Sequence, residues 1–173
     1  MSVGVCLLVG QTLRAFVPTL AFTLGWTHSI EKTSWEEDWL VVDAGLALAE
    51  ARIEGSGAGM EPPEGAVLRD GVWHYAPPAS TRLHQSLSLT VSPYAQPYRF
   101  CFDGRCRPLA ALAHVSTPFA VVRVERCVDP ADPGSGAAKR GLTPVFGPMR
   151  ARFDNERRIA LNLTISPIPG AEP

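Results

Sequence analysis

The chain has 173 residues, the length of one ordinary domain with room for an appendage. A hydrophobic content of 46% with 19% charged residues supplies a real core and excludes disorder throughout. A formal charge of −1 argues against general nucleic-acid or anionic-membrane binding, both of which need a basic excess.

The first element, VGVCLLVGQTL, is apolar for about eleven residues before Arg14. A membrane-spanning helix needs roughly twenty, so no such span is expected. The run has the length of the apolar core of an export signal, with Ala15 and Ala21 as candidate cleavage points, although no Lys or Arg precedes it. The alternative is a hydrophobic first strand of a cytoplasmic domain. Residues 1–21 are accordingly set apart as a signal-like segment.

FTLGWTH alternates, with Phe22, Leu24, Trp26 and His28 on one face and Thr23, Gly25 and Thr27 on the other, the period of a half-buried strand. WEEDWLVV alternates again, placing Trp35, Glu37, Trp39 and Val41 opposite Glu36, Asp38, Leu40 and Val42. A turn signal at residues 43–45 leads into LALAEARI, so the three segments predict a meander. Residues 54–65, EGSGAGMEPPEG, form a loop rich in Gly and Pro; GVWHY is a short strand, residues 76–82 are another loop, and SLSLTV is a strand with Leu87, Leu89 and Val91 on one face.

YRFCFDGRCRPL carries the sharpest local expectation. Asp103-Gly104 between two strand-like runs calls for a type I′ hairpin, because both central residues need φ > 0. Phe102 then pairs with Arg105, and Cys101 faces Cys106 within bridging range. A disulfide is expected in an oxidising compartment and two thiols in a reducing one. A zinc site is the rival, but the C-x₂-C spacing is missing. Cys127 has no evident partner except Cys6, which a cleaved signal would remove.

A helical turn is expected at 108–113, a strand in PFAVVRVERC, a flexible linker at 129–141 and a last strand in RRIALNLTI (157–165). The whole reads as all-β, a sandwich or partly open barrel of about eight strands with mostly antiparallel meander connections. Residues 22–112 make the main β domain. Residues 113–173 make a C-terminal extension of two added strands.

WTHSIEKTSWEEDW (26–39) concentrates three tryptophans, a histidine, a lysine and four carboxylates. Four readings compete. The tryptophans are core or cross-strand partners, with Glu36, Glu37 and Asp38 at the solvent face and Lys32 and Arg52 as counter-charges. His28 with neighbouring carboxylates holds a metal, although no ligand motif supports it. His28 and Ser29 perform hydrolysis, although strand neighbours point to opposite faces. Or the segment lines a ligand pocket, in which the backbone N–H groups of GSGAG (55–59) form an anion-accepting nest beside His28 and Lys32. Against the last stands the ordinary use of glycine in tight turns.

FTLGWTHSIEKTSWEEDW followed by EARIEGSGAGMEPPEG resembles the DUF1850 family, a bacterial domain of unknown function. The likeness rests on a strand ending in His-Ser, an Ile-Glu-Lys-Thr run, an aromatic and acidic strand, and a Gly-Ala-Gly loop with Met and Pro close behind. The hairpin at Asp103-Gly104 fits as well, and the likeness covers roughly residues 20–112. It marks His28, Ser29, Glu31, Lys32, Thr33, Glu36 or Glu37, Gly57, Ala58 and Gly59. It implies a non-catalytic, extracytoplasmic (periplasmic) accessory domain of a TRAP-type solute uptake system of the TAXI class, partnered by the permease or its solute receptor. A small organic anion is the implied ligand, with no cofactor and no metal. The alternatives are a metal-dependent or hydrolytic enzyme using His28 and the acidic cluster, and a structural interaction domain for a membrane permease.

Overall fold

The alternating segments become strands because each has one face to bury. The computed structural model describes residues 2–28, 32–55 and 62–133. All belong to the first of the two units into which the chain divides, residues 1–139 and 140–173. The expected strand at 157–165 and most of the 129–141 linker lie outside the described residues, as do Ser29, Glu31, Gly57, Ala58 and Gly59.

In chain order the strands are β1 (Val3–Val9), β2 (Thr12–Val17), β3 (Ala21–Thr27), β4 (Ser34–Val42), β5 (Gly45–Glu54), β6 (Val67–Arg69), β7 (Val72–Tyr75), β8 (Leu83–His84), β9 (Ser86–Val91), β10 (Arg99–Phe102), β11 (Arg105–Pro108) and β12 (Ala120–Val128). One short helix, α1 (Leu109–Leu112), follows β11. The strands form two antiparallel sheets, not closed into a barrel. The larger has the order β11-β10-β3-β4-β5-β7-β6, with β8 paired to β5; the smaller has the order β2-β1-β12-β9. Among the described residues no helix is long and apolar enough to cross a membrane.

The core lies between the sheets. Val5, Leu7, Val122 and Val124 from the smaller sheet meet Phe22, Leu24, Trp39, Leu46 and Phe100 from the larger, with Leu109 and Leu112 of α1 closing one end. Phe100, with no exposed surface, stacks on Phe22 at 4.6 Å between ring centroids. Each such buried side chain contributes about 1.5–3 kcal/mol. Leu87, Leu89 and Val91 of β9 pack against this core on their shared face, as alternation requires.

The Asp103-Gly104 hairpin forms as expected, with φ of 49° and 71° at the two turn residues and Cys101 opposite Cys106. Those cysteines are disulfide-bonded, with Cα atoms 4.0 Å apart. A second Asp-Gly pair, Asp70-Gly71, does the same between β6 and β7 with φ of 49° and 79°. Its first strand was not anticipated, because that strand is only three residues long and wholly exposed.

The two stretches that flank the main domain in sequence meet in space. The apolar run read as signal-like or as a first strand is β1, and it pairs along its length with β12, Val3 opposite Val128 through Val9 opposite Val122. Cys6 and Cys127 are disulfide-bonded across that pair. Cleavage after Ala15 or Ala21 would therefore remove Val5, Leu7 and Cys6 from this core. Three of the four strands of the smaller sheet come from outside residues 22–112, and they cover the inward face of the larger sheet.

Candidate functional site

Pairing of β3, β4, β5 and β7 sorts the polar residues of the 26–39 segment onto two faces. On the outward face of the larger sheet, Glu36 and Asp38 of β4 stand beside Arg52 of β5. The Arg52 guanidinium donates to both Asp38 oxygens, to Glu36 at 3.3–3.4 Å and to Glu50 at 3.2 Å. Thr23 Oγ1 donates to Asp38 Oδ1 at 2.6 Å, Arg99 reaches Glu36 at 3.3 Å, and His74 Nδ1 lies 2.9 Å from Glu50. Partial burial opposes ionisation of Asp38, but the hydrogen bonds from Arg52 and Thr23 and the Arg52 charge outweigh it and hold its pKa below the usual carboxylate value. The hydrogen bond to Asp38 in turn raises the Arg52 pKa. Arg52 is thus the counter-charge expected for this strand.

Glu37 departs from its expected place at the solvent face. It turns inward, between Leu24 of β3 and Ala51 of β5, because strand alternation puts it with Trp35 on the core side. Trp39 Nε1 donates to its Oε2 at 3.1 Å. Burial raises the Glu37 pKa, while the Trp39 hydrogen bond and the His84 charge pull the other way. A carboxyl group whose folded pKa is raised stabilises the fold below its unfolded value, and that contribution is lost as pH rises through the folded pKa. Glu37→Gln should therefore raise the melting temperature at pH 7 and leave it close to that of the parent below the carboxylate range. Circular dichroism melts across pH check this; a lower midpoint for the variant at pH 7 would contradict it.

At the end of the larger sheet where β3 turns into β4, the His28 ring stacks on Trp35 (5.5 Å between centroids), Trp35 packs on Trp26 (5.9 Å), and Trp26 packs on Tyr98 (5.8 Å). The His28 N–H donates to the Thr33 carbonyl at 2.9 Å and the Lys32 N–H to the His28 carbonyl at 3.0 Å, and Lys32 adopts φ 60°. The neighbouring loop begins at the same place. The Ser34 N–H donates to Glu54 Oε2 at 3.0 Å, and Gly55 lies so near Thr33 that a Cβ on it would stand 3.1 Å from Thr33 Cγ2.

His28, Lys32 and Thr33 are thus brought to one end of the sheet, beside the first glycine of the 55–59 run. Two side-chain donors buried there, Thr33 Oγ1 and Trp35 Nε1, have no hydrogen-bond partner among the described residues. Leaving a buried donor unmatched costs about 1–3 kcal/mol. The sequence reads Trp35 as a core or cross-strand partner, and it faces Trp26 across β3 and β4; Tyr98 carries no signal of its own, since it reaches Trp26 only through the pairing of β10 with β3. Among the described residues no three His, Cys, Asp or Glu side chains converge to hold a metal ion.

Two stacked antiparallel sheets, one of them carrying a half-buried aromatic end with unmatched donors, define a β-sandwich domain with a candidate binding surface. Residues 22–109 match the model of the family described as Domain of unknown function (DUF1850), and the chain belongs to that family. The matched stretch contains the larger sheet and β9; β1, β2 and β12 fall outside it. Neither a comparison with curated proteins nor one with solved structures gives a match.

Proposed function

We propose that the chain is a non-catalytic binding domain that takes a small organic anion at the His28–Thr33 end of the larger sheet, as an accessory component of a TRAP-type (TAXI) uptake system outside the cytoplasmic membrane. The observation that carries this reading is the pair of buried, unpartnered donors, Thr33 Oγ1 and Trp35 Nε1, beside His28 and Lys32. A carboxylate is acceptor-only and matches two such donors. The compartment is supported by the cysteines, all four of which are paired, as oxidising spaces allow and reducing ones oppose.

Thermal-shift measurement with a panel of short carboxylates tests the site. A ligand at a hundredfold excess over its Kd adds about 2.7 kcal/mol, which raises the midpoint by about 5–10 °C. Thr33→Val removes one donor at nearly constant shape, Trp35→Phe removes the other along with part of the ring, and each should weaken the shift. A panel that never moves the midpoint would overturn the site. Co-purification of the full chain with TRAP permease or solute-receptor subunits tests the partnership separately.

A further inference from the structure

Strand pairing lays two rows side by side on the inward face of the larger sheet. One row runs Trp26, Trp35, Ile53, Trp73 across β3, β4, β5 and β7; the next runs Leu24, Glu37, Ala51 across β3, β4 and β5. The core reaches as far as Trp26, whereas Trp35, Ile53 and Trp73 carry the first row past it and stay half-buried. Glu37 is the one charged group in either row. An apolar residue would pack more cheaply there, because burying a carboxylate carries a desolvation cost.

Glu37 does not use up its own capacity. An ionised carboxylate offers about four acceptor positions, and the Trp39 N–H occupies one. Trp35 and Glu37 share a face of β4, and same-face neighbours on a strand stand about 6–7 Å apart. Thr33 lies one step before the strand begins. Donor, donor and acceptor therefore follow one another into β4, which crosses the aromatic row between β3 and β5, and aromatic faces favour organic cations.

We propose that the ligand of this surface is a small zwitterion with an apolar body: its carboxylate is held by Thr33 and Trp35, its ammonium by Glu37, and its body lies against Trp26 and Trp35. This rests on the anion-binding reading and adds a second, opposite charge to it. A free amino acid with an apolar side chain has this chemistry.

Tryptophan fluorescence titration of the full chain with three probes of one body tests it: phenylalanine, 3-phenylpropionate, which lacks the amine, and phenethylamine, which lacks the carboxylate. Phenylalanine should bind at least tenfold more tightly than either half-molecule. Glu37→Gln, isosteric and still able to accept from Trp39, should bring phenylalanine down to the level of 3-phenylpropionate while binding 3-phenylpropionate no less tightly than the parent does. Circular dichroism confirms that the variant is folded. Equal binding of phenylalanine and 3-phenylpropionate by the parent would overturn the zwitterion and leave the anion site standing. Loss of both ligands on Glu37→Gln in a folded variant would overturn the assignment of Glu37 to the amine. Failure of all three probes would overturn both readings.

Discussion

Replacing Cys6 and Cys127 together by alanine should lower the melting temperature by about 10–20 °C, while the same change at Cys101 and Cys106 should cost less than half as much. The two bonds differ in the chain they close. Cys6 and Cys127 are 121 residues apart, and Cys101 and Cys106 only 5. Loop-closure entropy makes a cross-link of the first kind contribute about 5 kcal/mol and one of the second about 2 kcal/mol. The difference also has a structural side. The long-range bond ties β1 to β12, the central pair of the sheet that covers Phe22, Leu24 and Phe100. The short one staples a hairpin that its Asp-Gly turn already sets in register. Differential scanning calorimetry of the two double variants, with the reduced parent alongside, measures both effects. Equal losses would mean that the entropic account fails and local packing at the cysteines dominates.

Local features of the fold were legible because their causes are local. Alternation in 22–28, 35–42 and 86–91 names the inward side chains, and the Asp103-Gly104 turn fixes the register of its hairpin through the φ > 0 requirement. What could not be read was pairing across long separations. Nothing in VGVCLLV says that its partner is AVVRVERC rather than an export channel. An apolar run of this length suits either, and the pairing with β12 appears only where the smaller sheet is assembled. Twelve strands are described where about eight are expected, for a related reason: β1 and β2 lie in the stretch set apart as signal-like, and β6 and β8, of three and two residues, owe their existence to neighbours and not to their own pattern.

The candidate site divides in the same way. The sequence pointed to the His28–Thr33 turn, where acidic, basic and aromatic residues crowd together. The inward turn of Glu37 was misplaced for a definable reason. Three successive acidic residues suggest a solvated face, yet strand alternation must send the middle one to the opposite side from its neighbours. The pattern that placed Trp35 inside therefore places Glu37 inside too. The unmatched donors at Thr33 and Trp35 depend on which side chains β3, β4 and β5 set around them, which no spacing in the sequence reveals.

Arg52→Met should destabilise the fold by about 1–3 kcal/mol at neutral pH, with the deficit shrinking as the solution is acidified. Breaking a buried ion pair costs more, about 3–5 kcal/mol. Here the partners are roughly a third exposed, at 36% for Glu36, 35% for Asp38 and 37% for Glu50, so water screens part of the loss. The sign of the pH effect follows from Asp38. Its folded pKa is depressed, so its contribution is present above the unfolded carboxylate value and is lost as pH falls through the lowered folded value. Without Arg52 that contribution goes, and Glu36, Asp38 and Glu50 face one another across two strands with only Arg99 on Glu36 and His74 beside Glu50. Protonation then relieves repulsion in the variant while it removes an attraction in the parent, and the two stabilities converge. Glu37 titrates in both proteins and cancels from the comparison. Urea midpoints at pH 7 and pH 3 measure the change, and added salt at pH 7 should narrow the gap by screening the carboxylates. A deficit of the same size at both pH values would show that Arg52 acts through its packed stem and not through its charge.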